Sequence, residues 1–254
     1  LTLSQDSTRY DSTRQAWESI WNGATVPAEL EVVQTARSLE TIARYRPYLP
    51  REAPILEAGS GLSAVVITLR REGYPVIGLD YAVNALQISR AYEASLPLVG
   101  GDIHKLPFAD NSLGAYLSFG VLEHFEHGLG PGLVEAWRVL QPGGVLVLTI
   151  PYPNWVYRLV QWKRRLTGSG PLTDERFYES AYTRQALVQA VEEAGFRLAL
   201  AVPTSHSFTL RGLGGPFRGP GYYNTSPLAE AVGRLVRRIA PWPFNYMTLV
   251  VAHK

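Results

Sequence analysis

The chain has 254 residues, 46% of them apolar, with a formal net charge of +2 and no cysteine. That length suits one α/β domain with embellishments and a full core. The lack of cysteine excludes disulfides, thiolate metal sites and thiol nucleophiles, and the weak net charge makes nucleic acid an unexpected partner.

Residues 1 to about 50 read as an amphipathic helical cap segment with Trp17, Ile20 and Trp21 as apolar anchors, ended by Pro47 and Pro50. The opening "LTLSQDSTRYDSTRQ" is polar and has no apolar signal core. No apolar run approaches the ~18–20 residues of a membrane span. These features lead us to expect a cytoplasmic protein.

Residues 51–254 then alternate. "PILEAG" reads as a strand and "SAVVITLRREG" as a helix stopped by Gly73; "PVIGLD" is a strand and "AVNALQISRAYEA" a helix. "LPLVGGD" and "LGAYLSF" read as strands, "GPGLVEAWRVL" as a helix and "GGVLVLTIP" as a strand. Short buried strands alternating with helices indicate βαβ units and a mostly parallel sheet. Two segments interrupt the pattern as lid insertions, at about 151–182 and 204–243. The first carries the basic amphipathic "NWVYRLVQWKRRL" and the flexible "TGSGP"; the second carries "LRGLGGPFRGPGYYNTSP" and "LAEAVGRLVRRIA". Between them stand a helix from the Thr183 N-cap to Gly195 and the strand "FRLALAVP"; "FNYMTLVVAHK" closes the chain as a strand.

The stretch "PILEAGSGLSAV" joins a strand to a helix through Gly59 and Gly61 and spells G-x-G-x-x-A with Ala64, a form of the dinucleotide fingerprint. Such a loop presents backbone N–H groups at a helix start. Asp80 ends the next strand 19 residues after Gly61, where a carboxylate can accept both ribose hydroxyls. Glu57 separates the two cofactor classes. It would repel the phosphates of a dinucleotide, whereas S-adenosylmethionine carries an ammonium and a sulfonium and no phosphate.

With these residues in place, the chain resembles the class I S-adenosylmethionine-dependent methyltransferases of the small-molecule type, the quinone methyltransferases among them. "LEAGSG", "GLDYA", "GDIHKLPFAD", "LSFGVLEHF", "RVLQPGGVLVLTIP" and "YTRQALVQAVEEAGF" match that family's segments in order, over roughly residues 50–150 and 180–200. The resemblance implies a Rossmann-like, doubly wound, seven-stranded sheet, mostly parallel, with an antiparallel last strand at 245–252. It implies S-adenosylmethionine as cofactor, with Glu57, Gly59, Ser60 and Gly61 on the methionine and ribose side. By the same resemblance Asp80 holds the ribose hydroxyls and Tyr81 packs on the adenine. Asp102 and Ile103 frame the adenine edge, and Phe119 and Gly120 present backbone to the methionine part. One departure stands out: the family's third glycine is Ser63 here. A serine there is small and can cap the helix.

Methyl transfer is an in-line displacement, so much of its acceleration can come from positioning. A base is needed for a poorly acidic nucleophile, and His124 in "VLEHFEHG" is the first candidate, with a structural histidine as the competing reading. His206 is a weaker one. Glu123, Glu126 and His127 raise a metal reading that lacks a matching ligand set elsewhere, so no metal is expected.

The cap and insertions are rich in aromatic residues: Trp17, Trp21, Trp155, Tyr157, Trp162, Tyr178, Tyr182, Phe208, Phe217, Tyr222 and Tyr223. They either pack the cap onto the sheet or line a pocket for an apolar or aromatic small-molecule acceptor. In "NWVYRLVQWKRRL", Trp155, Leu159, Trp162 and Leu166 share a face bordered by Arg158, Lys163 and Arg165. In the later helix Leu228, Val232, Leu235 and Ile239 form a stripe beside Arg234, Arg237 and Arg238. Such helices fit either lids or a membrane-peripheral contact with an anionic surface, and the latter would favour a lipid-like acceptor. Two further function classes remain open: a binding or regulatory protein that keeps the site without chemistry, and a Rossmann oxidoreductase. Glu57 and the lack of a Tyr-x-x-x-Lys pair weigh against the oxidoreductase.

Overall fold

The computed structural model describes residues 14–167, 179–219 and 224–254. Tyr178, Tyr222, Tyr223, the "GSGP" that follows Thr167 and the polar opening up to residue 13 lie outside the described residues.

Seven strands form one sheet in the order β3-β2-β1-β4-β5-β7-β6. They are β1 (Ile55–Ala58), β2 (Val76–Asp80), β3 (Leu98–Gly100), β4 (Leu113–Phe119), β5 (Leu140–Pro151), β6 (Arg197–Thr204) and β7 (Met247–His253). β1 pairs parallel with β2 and β4, while β7 pairs antiparallel with both β5 and β6. The expected seven-stranded sheet with one reversed strand is what the chain forms. β1 and β4 are neighbours although β2 and β3 intervene in sequence, so strand order reverses there. That switch point opens a crevice beyond the strands' C-terminal ends.

Side chains alternate between two cores. Ile55, Leu117, Val147 and Val251 face one, and Leu56, Tyr116, Leu148 and Val250 face the other. The first core is covered by α2 (Val26–Val33), α3 (Ala36–Tyr45), α4 (Ala64–Arg71) and α5 (Val83–Tyr92), through Val33, Ile42, Tyr45, Ile67 and Ala85. The second is covered by α6 (Gly130–Val139) and α8 (Arg184–Glu193), through Leu133, Ala136, Leu187 and Val191. The cap helices α2 and α3 thus share the sheet's own core. A further helical turn at 14–21, α1, precedes them.

The insertions hold α7 (Trp155–Thr167), α9 (His206–Arg211) and α10 (Pro227–Ile239). Caps follow local chemistry: Thr183 accepts the Ala186 amide at 3.2 Å, and Ser226, followed by Pro227, accepts that of Ala229 at 3.1 Å. The short α9 lies at the start of the second insertion. Six residues between a β-strand and a glycine-rich segment carry no readable period.

Candidate active site

The crevice at the switch point is a cavity of about 510 Å³. Glu57, Gly59, Ser60, Gly61, Asp80, Tyr81, Asp102, Ile103, Phe119, Gly120 and His124 all line it. The structure therefore brings every one of these sequence-selected residues to one place.

The loop after β1 is built on tight turns. The Gly59 and Ser60 amides both donate to the Leu79 carbonyl, at 2.8 and 2.9 Å, which pins the loop to the end of β2. Gly59 has φ +81°, and a Cβ there would stand 2.4 Å from Val121 Cγ2. A Cβ on Gly61 would stand 2.6 Å from Trp21 Cζ2. Both glycines are thus required by backbone shape and by close neighbours. Trp21 stacks on Trp17 with centroids 5.8 Å apart, and Trp17 meets His124 edge-on at 5.2 Å. α1 therefore lays two indoles along the cavity wall.

Ser63 corrects an expectation. It adopts the left-handed conformation, φ 59° and ψ 26°, and its hydroxyl makes no cap bond and has no hydrogen-bond partner. The backbone demand that a glycine meets without cost is met here by serine. The cap comes from Glu57, whose Oε2 accepts the amide of Val66, the third residue of α4, at 3.1 Å. An acidic group at a helix N-terminus also suits the dipole. Burial, with Asp80 nearby, pushes the Glu57 carboxyl up to about 8, against the lowering effect of the Val66 bond.

Asp80 is buried at the end of β2. Its Oδ2 accepts the Gly61 amide at 2.7 Å and its Oδ1 the Ala82 amide at 2.8 Å. Burial raises its carboxyl above the usual range, and the Ala82, Gly61 and Tyr81 amides oppose that shift. Asp102 Oδ1 accepts the His104 amide at 2.9 Å. The segment that carries Asp102 is clamped from α6. Arg138 donates to both carboxylate oxygens of Glu135, to Asp110 and to the carbonyls of Leu106 and Phe108, while Glu135 accepts the Leu106 amide.

His124 sits in a 3-10 turn, Leu122–His124, after β4. Its neighbour Glu123 is 2% exposed, lines the same cavity, and its Oε2 has no hydrogen-bond partner. Burial first, then Glu179, hold the Glu123 carboxyl well above the carboxylate range, against a bond from its own backbone amide. His206 stands elsewhere. It is buried at the start of α9, its Nε2 lies 2.9 Å from the Pro241 carbonyl, and it does not line the cavity. Among the described residues no group of three His, Asp or Glu side chains is arranged to hold a metal.

Comparison with known proteins gives a concordant answer. Residues 56–148 match the model of a methyltransferase domain. The chain is 31% identical over 199 residues to the malonyl-[acyl-carrier protein] O-methyltransferase of Pseudescherichia vulneris, covering 76% of each chain. The chain belongs to the S-adenosylmethionine-dependent methyltransferases. It is also 31% identical over 157 residues to the demethylmenaquinone methyltransferase of Corynebacterium kroppenstedtii, covering 56% of this chain and 66% of that one, just under two thirds of the relative's length. The fold is that of a SAM-dependent methyltransferase from Archaeoglobus fulgidus, with a TM-score of 0.60, 17% identity and coverage of 88% of this chain and 97% of that one.

Several lining residues of this methyltransferase escaped sequence reasoning. Glu29, Tyr45, Thr149, Tyr246 and Met247 come from α2, α3 and the ends of β5 and β7. Each lies on an apolar-patterned element whose pattern marks a buried face but not what that face meets. The aromatic residues of the cap divide. Trp17 and Trp21 line the cavity, whereas Trp155 and Trp162 face outward at 61% and 60% exposure. Arg237 pairs with Glu40 of α3 and so ties α10 to the cap; it is not a free surface charge.

Proposed function

We propose that this methyltransferase binds S-adenosylmethionine at Glu57, Gly59, Ser60, Gly61, Asp80, Tyr81, Asp102, Ile103, Phe119 and Gly120, and transfers its methyl group to a small acceptor with an apolar or aromatic body. The carrying observation is the sign of the charge. Glu57 near the end of β1, Asp80 at the end of β2 and Asp102 two residues beyond β3 gather around one cavity, and no Lys or Arg stands among its described lining residues. A pyrophosphate would find no cationic side chain there and would lie against three carboxyl groups. A phosphate-free ligand with an ammonium and a sulfonium fits that set of acceptors, which weighs against the oxidoreductase reading.

The bound cofactor would supply an activated methyl group on sulfur. The protein's part is placement. Asp80 is positioned for the ribose hydroxyls, Asp102 and Ile103 for the adenine edge, and Tyr81 for its face. The Phe119 and Gly120 backbone borders the methionine end. The indoles of Trp17 and Trp21 screen the cavity from water, and His124, half-buried at its wall, is placed to pass a proton outward. The test is turnover: labelled S-adenosylmethionine supplied with phenols, quinones, amines and fatty acids should label one class. Cofactor binding without label in any class would support a binding or regulatory role instead.

The surface supports a membrane-peripheral setting. No helix among the described residues is long and apolar enough to cross a membrane. Yet Trp155, Leu159, Trp162 and Leu166 stand 55–68% exposed in a stripe along α7, with Arg158 and Lys163 exposed beside them. Leu235 and Ile239 are 57% and 72% exposed on α10, with Arg234 and Arg238. Indoles and aliphatic chains flanked by cations suit an anionic lipid surface, whereas a second copy would bring like charges together. Phosphatidylglycerol vesicles should sediment the protein, and pure phosphatidylcholine or the W155A/W162A variant should not. Failure to sediment at low salt would overturn this.

A further inference from the structure

We propose that the methyl acceptor is an amine, held through its nitrogen by Glu123, which takes the proton the nitrogen must lose before attack. This rests on the S-adenosylmethionine reading of the site and narrows its acceptor. Among the described residues six carboxyl groups line the cavity: Glu29, Glu57, Asp80, Asp102, Glu123 and Glu179. The first-strand, second-strand and third-strand acids are those assigned to the cofactor. Glu29 from α2, Glu123 from the turn after β4 and Glu179 ahead of α8 are three more than that assignment uses.

Glu123 is the one that points to a ligand. Its side chain is 2% exposed and its Oε2 has no partner, a costly arrangement for a buried polar atom. It stands at the methionine end of the cavity. A Cβ on Gly120 would lie 3.4 Å from both Glu123 Oε1 and Met247 Cε, so glycine at 120 leaves the carboxyl room against the backbone. The Ser180 amide and hydroxyl hold the Glu123 carbonyl at 3.0 and 3.1 Å, which fixes the turn and brings Glu179 beside it.

Charge bookkeeping then selects the acceptor. A phenolate or carboxylate nucleophile would enter a cavity lined by acids and by no described Lys or Arg. An ammonium would be drawn in, with the rings of Trp17, Tyr45 and Tyr246 around it as cation–π surfaces. In the empty cavity burial keeps Glu123 a carboxylic acid; the arriving ammonium displaces that proton to solvent and pairs with the resulting carboxylate, then gives it one of its own protons, leaving a neutral nitrogen and a carboxylic acid. The nitrogen lone pair forms the N–C bond while the pair of the breaking S–C bond stays on sulfur. The positive charge thus moves from sulfur to nitrogen, and the proton on Glu123 leaves through His124 or with product release. Burial favours the neutral acid that this transfer creates.

The test uses three matched probes: tryptamine, tryptophol and indole-3-propionate, which share a ring and differ in the end group. With S-adenosylhomocysteine bound, tryptamine should raise the unfolding temperature and the other two should not. With S-adenosylmethionine, mass spectrometry should find the methyl on nitrogen. Glu123→Gln should cut amine turnover by about 100-fold or more and abolish the tryptamine shift, while S-adenosylhomocysteine affinity stays within about 3-fold. Should Glu123→Gln not fold, the wild-type probe comparison decides. Preference for the alcohol or acid, no response to the amine, or an amine turnover untouched in Glu123→Gln would overturn the proposal. So would a Glu123→Gln defect confined to cofactor affinity, which would assign Glu123 to the cofactor's own ammonium. Failure of the cofactor to bind the wild type would instead strike the methyltransferase reading itself.

Discussion

Asp80 Oδ2 accepts the Gly61 amide at 2.7 Å, which ties the end of β2 to the glycine loop after β1. The same carboxylate accepts the Ala82 amide at 2.8 Å, so one buried side chain sets the spacing of two ligand-facing loops. Asp80→Ala should therefore weaken S-adenosylmethionine binding by about 1–3 kcal/mol, roughly 5- to 150-fold, through lost hydrogen bonds to a charged group. Calorimetry checks this. Unchanged affinity would remove Asp80 from the site.

Gly59→Ala should cost stability in two separable parts. A positive φ of +81° disfavours any side chain, by about 1–3 kcal/mol. The added Cβ would also stand 2.4 Å from Val121 Cγ2. Denaturation of the single variants and of Gly59→Ala with Val121→Ala separates them, and the double variant should recover only the steric part. Full recovery would show that the left-handed backbone is not strained by alanine.

The clamp on the Asp102 segment should be measurable as well. Arg138 holds both Glu135 oxygens at 2.8 and 2.9 Å, and it is this pair that lowers the Glu135 carboxyl most. Arg138→Ala should destabilise the fold by about 2 kcal/mol. It should also raise hydrogen exchange between residues 102 and 112. Exchange confined to α6 would contradict the clamp.

Stability should depend on pH through the buried acids. Glu57 moves from an ordinary 4.5 up to about 8 on folding, chiefly by burial. The folded chain thus keeps a proton that the unfolded chain gives up. The resulting contribution is complete below the unfolded value and is lost as pH rises toward about 8. Glu123 acts in the same direction. Thermal unfolding of the ligand-free protein should show this fall, Glu57→Gln should flatten it, and S-adenosylhomocysteine, which brings an ammonium, should restore more stability at high pH than at low. A Glu57→Gln profile parallel to the wild type would contradict it.

Much of this site was legible because its signals are local. Glycines at 59 and 61, an acid ending β2 and the order of strands and helices depend on turn chemistry and periodicity, which short windows carry. Thr183 announced its helix for the same reason. Ser63 did not behave as its residue type suggests, since a left-handed φ is invisible in the sequence and Glu57, six residues earlier, took over the cap. Glu123 passed as one acid among several beside His124; only the packing of the turn shows it buried with an unpaired oxygen. Trp17 and Trp155 look alike on their helix faces, and only the tertiary arrangement turns one into the cavity and the other to solvent.

The central claim is that the cavity takes a phosphate-free, cationic adenosine ligand. Calorimetric titration of the protein with S-adenosylmethionine, S-adenosylhomocysteine and NAD tests it most directly. The first two should bind with one site per chain and NAD should give no heat of binding; binding of NAD with no response to either sulfur compound would contradict the account.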